Sequence, residues 1–218
     1  MIYIFGDSHG IYNFKNLNKP HCNLSHNSIT MYRIGRDNTI INFNPQFNNN
    51  ENIFILAYGE IDCRCQIAKH IISNNNDNND NNDNNDNNDN NLDTICNELV
   101  TKYFDTIRNN ITKYKKIIIC SIVPSIRRND YESVHGPVNH EFPFIGTDAK
   151  RVMYTKKVNE LLKKECEKYI TQGEKFVFLD FYKEYARDDG TLRYEISDGI
   201  CHINSNEIIL QKISQLLN

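Results

Sequence analysis

Four short apolar runs constrain the fold of this 218-residue chain more than any other feature. An antiparallel strand with one face in water alternates apolar and polar residues, whereas a parallel strand buried on both faces is apolar throughout. The four runs are of the second kind and therefore predict strands of a buried parallel sheet. They occupy residues 1–5 (MIYIF), 53–58 (IFILAY), 116–123 (KIIICSIV) and 175–181 (KFVFLDF).

A weaker alternation and several helical periods complete the predicted fold. Residues 28–34 (SITMYRI), closed by Gly35, predict a fifth strand. Helices are predicted at residues 11–17, from 67 onward, and at 92–114, 148–170 and 205–217, with a long loop at 125–147. Because strands that alternate with helices form a parallel sheet covered on both faces, we predict an α/β fold. The expected architecture is one domain over residues 1–218, a three-layer α/β/α sandwich with a five-stranded parallel sheet, flavodoxin-like in strand order.

An Asn-Asn-Asp repeat interrupts the helical pattern at about residues 74–91. The repeat contains no apolar residue, so it cannot bury enough surface to offset the entropy of ordering it. We therefore predict a disordered insertion in a surface loop of the domain.

Charge and cysteine content narrow the class of protein. The formal net charge is −3, and five aspartates lie in the repeat, so the rest of the chain is close to neutral. This pattern predicts neither a nucleic-acid nor a membrane partner. No apolar run reaches the roughly 18 residues of a membrane span, and the first residues lack the basic segment of a signal peptide. With seven cysteines in no disulfide-scaffold pattern, these features predict a soluble, intracellular, cytoplasmic protein.

Polar residues cluster directly after the first predicted strand, in the sequence Gly6-Asp7-Ser8-His9-Gly10. Open α/β sheets bind ligands at the carboxyl ends of their parallel strands. Two further predicted strands end in glycine, at Gly35 and Gly59. The sequence therefore predicts a functional site at this edge, with a hydroxyl, a carboxylate and an imidazole close together.

Four segments, in order, resemble the four sequence blocks of the SGNH (GDSL-type) hydrolases. They are Gly6-Asp7-Ser8, Gly35, Gly59-Glu60-Ile61-Asp62 and Asp198-Gly199-Ile200-Cys201-His202. The resemblance spans the chain except for the Asn/Asp insertion, with the serine near the start and the histidine before the last predicted helix. It implies the SGNH hydrolase fold and hydrolysis of carboxylic esters.

The resemblance also implies a role for each matching residue. Ser8 would attack the ester carbonyl, His202 would act as general base and then general acid, and Asp198 would orient His202. The backbone amides of Ser8 and Gly35 would form the oxyanion hole. This chemistry needs no metal and no cofactor. The implied substrate is an acyl ester of a small molecule or glycan, with a small acyl group such as acetyl.

Two departures from the family pattern leave parts of the site open. Ile61 stands where family members usually have an asparagine that donates to the oxyanion, and Arg64 is the nearest cationic substitute. The family has two residues between the aspartate and the histidine, whereas three separate Asp198 from His202. Either this loop bulges by one residue, or Ser8 and His202 work without Asp198. Further candidates for the substrate pocket are Asp7, His9, Gly59, Glu60, Asp62, Arg64 and His140.

Two alternative functions remain open from the sequence. The segment 6–10 also resembles the opening motif of metallophosphoesterases, and residues 138–141 (VNHE) resemble their GNHE box. In that interpretation Asp7, His9 and His140 would bind metal ions that activate water against a phosphate ester. Residues 59–62 lack the bridging aspartate that this class needs. The second alternative is a non-catalytic binding protein of the hydrolase fold, which the isoleucine at position 61 favours.

Overall fold

A computed structural model describes residues 1–77, 86–140 and 142–217, and they contain a five-stranded parallel sheet. The strands pair in the order β2-β1-β3-β4-β5. They are β1 (Ile2–Gly6), β2 (His21–Asn23), β3 (Ile53–Ala57), β4 (Lys116–Cys120) and β5 (Phe176–Leu179). The predicted α/β class, the parallel five-stranded sheet and the flavodoxin-like strand order are confirmed.

Helices cover both faces of this sheet. They are α1 (Ser8–Tyr12), α2 (Met31–Asp37), α3 (Ile67–Asp77), α4 (Asp86–Asn110), α5 (Arg128–His135), α6 (Asp148–Thr171), α7 (Tyr182–Tyr185) and α8 (Glu207–Leu217). A π-helical turn, Asp62–Gln66, leads into α3. One apolar core joins the sheet to α2, α4 and α6, and a second core joins its other face to α5, α7 and α8. The architecture is therefore the predicted three-layer sandwich.

The apolar runs in the sequence are explained by the burial of both faces of the sheet. In β3, Phe54 and Leu56 belong to the first core, while Ile53, Ile55 and Ala57 belong to the second. All five side chains of the strand are buried. Because neither face of the strand meets water, the sequence has no polar residue to alternate with the apolar ones.

The predicted strand at residues 28–34 is wrong. This segment holds the start of α2, and the second strand is β2, only three residues long at the sheet edge. Met31 and Ile34 are the buried positions of α2, a spacing of three that fits a helix rather than the alternation of a strand. Thr30 caps the helix, because its hydroxyl accepts a hydrogen bond from the Arg33 amide at 3.0 Å.

Two loop predictions also change. The segment 125–147 contains α5 and is not a continuous loop. The helices α3 and α4 extend into the Asn/Asp repeat from either side, to Asp77 and from Asp86, so its two ends are helical rather than disordered. The middle of the predicted insertion, residues 78–85, lies outside the described residues. Among the described helices, none combines the length and the hydropathy needed to cross a bilayer.

Candidate active site

The order of the strands in the sheet determines where the site lies. The sheet order reverses between β1 and β3, because β2 lies on one side of β1 while β3, β4 and β5 follow on the other. Ligand crevices of open α/β sheets lie outside the carboxyl ends of the strands at such a reversal. Ser8 starts α1 directly after β1, and Glu60 and Ile61 follow β3. These side chains therefore meet at the crevice.

Ser8, His202 and Asp198 form a continuous hydrogen-bonded chain. The Ser8 Oγ lies 2.8 Å from His202 Nε2. On the other side of the ring, His202 Nδ1 lies 2.5 Å from Asp198 Oδ2. The three residues that the sequence analysis assigned to catalysis are thus brought into contact, in the geometry by which a carboxylate fixes the tautomer of an imidazole that faces a hydroxyl.

The loop around Asp198 accounts for the four-residue spacing. Asp198 Oδ1 accepts hydrogen bonds from the backbone amides of Ile200, Cys201 and His202 at 2.8–3.0 Å. Gly199 takes a positive φ of 79°, so the chain turns tightly around the carboxylate. Of the two arrangements left open by the sequence, the structure shows the bulged loop, with Asp198 in contact with His202.

The ion pair shifts both pKa values in opposite directions. Burial lowers the pKa of His202, but the hydrogen bond to Asp198 and the neighbouring Cys201 outweigh it and raise the pKa to about 9. Burial raises the pKa of Asp198, but the hydrogen bonds from His202 and the Ile200 amide lower it to about 2. The carboxylate is therefore ionised at any working pH, and His202 loses its proton only on the alkaline side.

Tyr12 is a site residue that the sequence analysis missed. Its ring stacks on the His202 imidazole with centroids 4.0 Å apart and an interplanar angle of 9°. Tyr12 is four residues after Ser8, so it lies one helical turn further on the same side of α1. That spacing from the serine was the available signal. Asn206 supports the same arrangement, because its side-chain amide donates to the Tyr12 and Asn13 carbonyls at 3.2 and 3.1 Å.

A cavity of about 390 Å³ opens beside Ser8. Its lining includes Ser28, Ile61, Arg64, Lys69, Phe142 and His202. Ser28 was also missed by the sequence analysis. It has a φ of 65°, a left-handed conformation that a non-glycine residue seldom adopts and that often marks functional positions.

Arg64 and Glu60 both line the cavity, but they form an ion pair with each other. Arg64 Nε donates to Glu60 Oε1 at 2.8 Å, and its Nη1 donates to the Pro143 carbonyl at 2.9 Å. The guanidinium lies 3.7 Å from the centroid of the Phe142 ring. This buried pair therefore fixes the loop that carries Phe142 over the cavity.

Gly35 is not at this site. It lies within α2, where an added Cβ would come within 2.8 Å of Lys102 Cβ on α4. A glycine is needed there because the two helices approach closely, not because a substrate does. Gly35 lines a separate groove of about 490 Å³, bounded by residues of α2, α3 and α4. The lining of the cavity beside Ser8 does not include Gly35, so this arrangement gives no support to the predicted oxyanion role of its amide.

Asp7 and His9 are buried behind Ser8 and do not line the cavity. Asp7 caps α1: its Oδ1 accepts from the His9 amide at 2.8 Å and lies 2.9 Å from His9 Nδ1. His9 Nε2 donates to the Cys201 carbonyl at 3.1 Å. Burial lowers the pKa of His9, but the charge of Asp7 and its hydrogen bond raise that pKa well above its ordinary value. These two residues therefore join α1 to the histidine loop, which comprises residues 198–202.

Three more predicted pocket residues lie elsewhere. Asp62 is fully buried and accepts from the Met31 and Tyr32 amides at 2.7 and 3.0 Å, at the start of α2. Burial raises its pKa to about 7, against the effect of these two donors. Gly59, with a φ of 115°, packs under Ile122 and Met31. His140 is exposed and does not line the cavity, and Glu141 lies outside the described residues.

A metal site of the predicted composition is not formed by the described residues. Among them, one group of three or more His, Cys, Asp or Glu side chains could share an ion, and it consists of His9, Cys201 and His202. The metallophosphoesterase interpretation needs Asp7, His9 and His140 together. The structure instead pairs Asp7 with His9 and leaves His140 exposed on a loop.

The sandwich, the strand order and the position of the serine define an SGNH hydrolase-like fold. A solved structure described as "a putative platelet activating factor from Streptococcus pneumonia" is similar to 99% of this chain. The match covers 81% of that protein, with a TM-score of 0.58 and 15% sequence identity. A "putative acylhydrolase" from Bacteroides fragilis matches all of this chain and 86% of its own, at a TM-score of 0.49 and 14% identity. No protein-family model and no curated protein matches the sequence.

Proposed function

We propose that this protein is a serine-dependent hydrolase of carboxylic esters. The observation that supports this most directly is the chain of hydrogen bonds from Ser8 through His202 to Asp198. A serine hydroxyl is a poor nucleophile until a neighbouring base removes its proton, and this chain supplies both the base and the carboxylate that orients it. The SGNH hydrolase-like fold agrees with this function.

The reaction follows from the positions of these atoms. Neutral His202 accepts the Ser8 proton at Nε2 while Ser8 Oγ adds to the ester carbonyl, and the imidazolium then protonates the leaving alcohol. Water then adds to the carbonyl of the acyl-enzyme while His202 takes one of its protons, and the imidazolium gives a proton to Ser8 Oγ as the bond between that oxygen and the acyl group breaks and the acid is released. Asp198 stays ionised throughout and stabilises the imidazolium, because its low pKa keeps it charged.

The oxyanion hole is formed by backbone amides in this proposal. The Ser8 amide begins α1, and Ser28, rather than Gly35, is the second donor because it lines the same cavity as Ser8. Its left-handed backbone is one that glycine adopts without strain, so a serine in this conformation is the kind of outlier that often marks a functional position. The side chain of Ile61 lines the cavity but has no hydrogen-bond donor, so this hole lacks the side-chain amide that the family usually has.

The substrate in this proposal is an acyl ester of a small molecule or glycan, with a short acyl group such as acetyl. A cavity of about 390 Å³ is at the small end of the range for ligand sites.

The test compares hydrolysis of nitrophenyl acetate with hydrolysis of nitrophenyl phosphate, each with and without a chelator. We expect the acetate to be hydrolysed and the chelator to leave that rate intact. Ser8→Ala and His202→Ala should each reduce kcat by about a thousandfold or more, and the double variant by little more, because the two residues act as one unit. Ser133→Ala, an exposed serine on α5, is the matched control and should retain full activity.

Two results would contradict the proposal. Phosphatase activity that a chelator abolishes and that survives Ser8→Ala would favour the metallophosphoesterase. Failure of a serine-directed phosphonate to label Ser8 in the folded protein, together with no ester hydrolysis, would favour the non-catalytic binding protein.

A further inference from the structure

Two histidines of the site are held in the same way, although the proposed reaction uses one of them. His9 Nδ1 pairs with Asp7 at 2.9 Å, and His202 Nδ1 pairs with Asp198 at 2.5 Å. Both imidazoles therefore present Nε2 on the side away from their carboxylates. Histidines that bind metal ions usually have this arrangement, in which a carboxylate fixes the ring and increases the basicity of the other nitrogen.

Cys201 completes a cluster with these two rings. The ring centroids of His9 and His202 lie 5.0 Å apart. The ligand atoms offered by His9, Cys201 and His202 all lie within 4.8 Å of one another, and all three residues are buried. Zinc binds imidazole nitrogen at about 2.0–2.1 Å and thiolate sulfur at about 2.3 Å, so the three side chains must close in by roughly an ångström around an ion.

We propose that His9, Cys201 and His202 bind a thiophilic divalent cation such as Zn²⁺, and that the bound ion inhibits the enzyme. Two nitrogens and one sulfur are a ligand set that selects zinc over magnesium or calcium. Cys201 and His202 line the cavity beside Ser8, which gives the ion a path from solvent.

Binding of the ion displaces protons from its three ligands and breaks two hydrogen bonds. Cys201 loses its thiol proton and each imidazole loses any proton on Nε2, and these protons pass to solvent. The ion takes the place of the Cys201 carbonyl as the partner of His9, and of the Ser8 hydroxyl as the partner of His202. Because the lone pair of His202 is then held by the metal, His202 cannot accept the Ser8 proton. The inhibition, unlike the binding, rests on the proposed hydrolase function.

Binding is tested with Co²⁺, which takes zinc sites and gives a thiolate-to-metal charge-transfer absorption when cysteine is a ligand. We expect one Co²⁺ per chain with this absorption in the wild type and in the matched control Cys22→Ser, whose cysteine lies on β2. The absorption should disappear in Cys201→Ser. His9→Gln provides a second variant if Cys201→Ser does not fold, and it should bind Co²⁺ at least tenfold more weakly. Unchanged binding in the folded variants, or no stoichiometric binding to the wild type, overturns the proposed site.

Inhibition is tested separately with Zn²⁺. We expect Zn²⁺ to block both hydrolysis of nitrophenyl acetate and phosphonate labelling of Ser8, and EDTA to restore both. The concentration for half inhibition should rise at least tenfold in Cys201→Ser, measured against the metal-free rate of the same variant. An active esterase that binds Co²⁺ through Cys201 but is not inhibited by Zn²⁺ overturns the inhibitory role. If the protein hydrolyses no ester, the absorption still decides whether the metal site exists.

Discussion

The imidazole of His202 has a different kind of neighbour on each side. Asp198 and Ser8 bind its two nitrogens, the Tyr12 ring stacks on one face, and the His9 ring lies 5.0 Å from it. Asp198 favours the charged form of His202, whereas burial and His9 favour the neutral form. The pKa of this side chain therefore depends on neighbours that can be removed one at a time.

The activity should rise with pH and reach half of its maximum near pH 9, because His202 must be neutral to act as a base and its pKa is raised to about 9. In Asp198→Asn the midpoint should move to lower pH, since the main group that raises this pKa is gone while burial still lowers it. The plateau should fall by about 10⁴-fold. Profiles of kcat/KM against pH measure both effects. A midpoint that does not move in Asp198→Asn would mean that another group sets the profile.

Ile61→Asn should raise kcat, because it places a side-chain amide at a position that lines the cavity beside Ser8. One oxyanion donor is worth about 2.7–4 kcal/mol where it has been measured, which sets an upper limit on the gain. Ile61→Ala is the matched control, since it removes the same apolar bulk without adding a donor. Equal or lower kcat in folded Ile61→Asn relative to Ile61→Ala would show that this position does not face the oxyanion.

At the scale of elements, the start of α2 is connected to the turn after β3. The Thr30 hydroxyl, directly before the helix, accepts a hydrogen bond from one amide of the first turn. The buried Asp62 carboxylate accepts hydrogen bonds from two further amides of that turn. Four amides at a helix start have no partner within the helix, so these side chains satisfy most of them. The connection keeps Ser28, which precedes α2, beside the residues that follow β3.

Asp62→Ala should lower the free energy of unfolding by about 2–4 kcal/mol, because it leaves two amides without an acceptor at a buried position. Thr30→Ala removes one cap and should cost only about 1 kcal/mol. Urea denaturation of the two variants gives the comparison. A smaller loss in Asp62→Ala than in Thr30→Ala would mean that water or another side chain replaces the carboxylate.

The same elements show what the sequence could and could not predict. The four apolar runs predicted four strands, because burial on both faces leaves a continuous signal. The strand β2 has the sequence HCN and is only partly buried at an edge, so no such signal exists there. Ser8, Asp198 and His202 were predictable from motif order. Ser28 and the displacement of Gly35 were not, because they depend on how α2 packs against α4 and on the turn that precedes it.

At the scale of the whole molecule, the position of the site depends on contacts between the start of the chain and its last helix. Asn206, just before α8, donates to the carbonyls at the end of α1. Ile209 and Ile213 of α8 belong to the second core, together with Ile4 of β1. The position of the histidine loop therefore depends on the packing of the last helix against the first strand and helix.

Replacing residues 76–89 with a short Gly-Ser linker should leave activity unchanged and shift Tm by no more than a few degrees. The repeat has no apolar side chain to bury, and each doubling of loop length changes the closure entropy by only about 0.6 kcal/mol. The apolar residues of α4 begin at Leu92, outside the replaced segment. Thermal unfolding and ester hydrolysis of the shortened chain are the measurements. A larger loss of Tm would show that the repeat packs against the domain or binds a partner.

The separation of Ser8 from His202 by 194 positions has a consequence for synthesis. A ribosome releases β1 and the serine long before the histidine loop and α8 are made. During that time the nascent chain contains the nucleophile without its base, so it cannot cleave an ester however early its first strands pair. Reactivity of Ser8 toward a phosphonate therefore reports that the histidine loop has been made and has packed against α1.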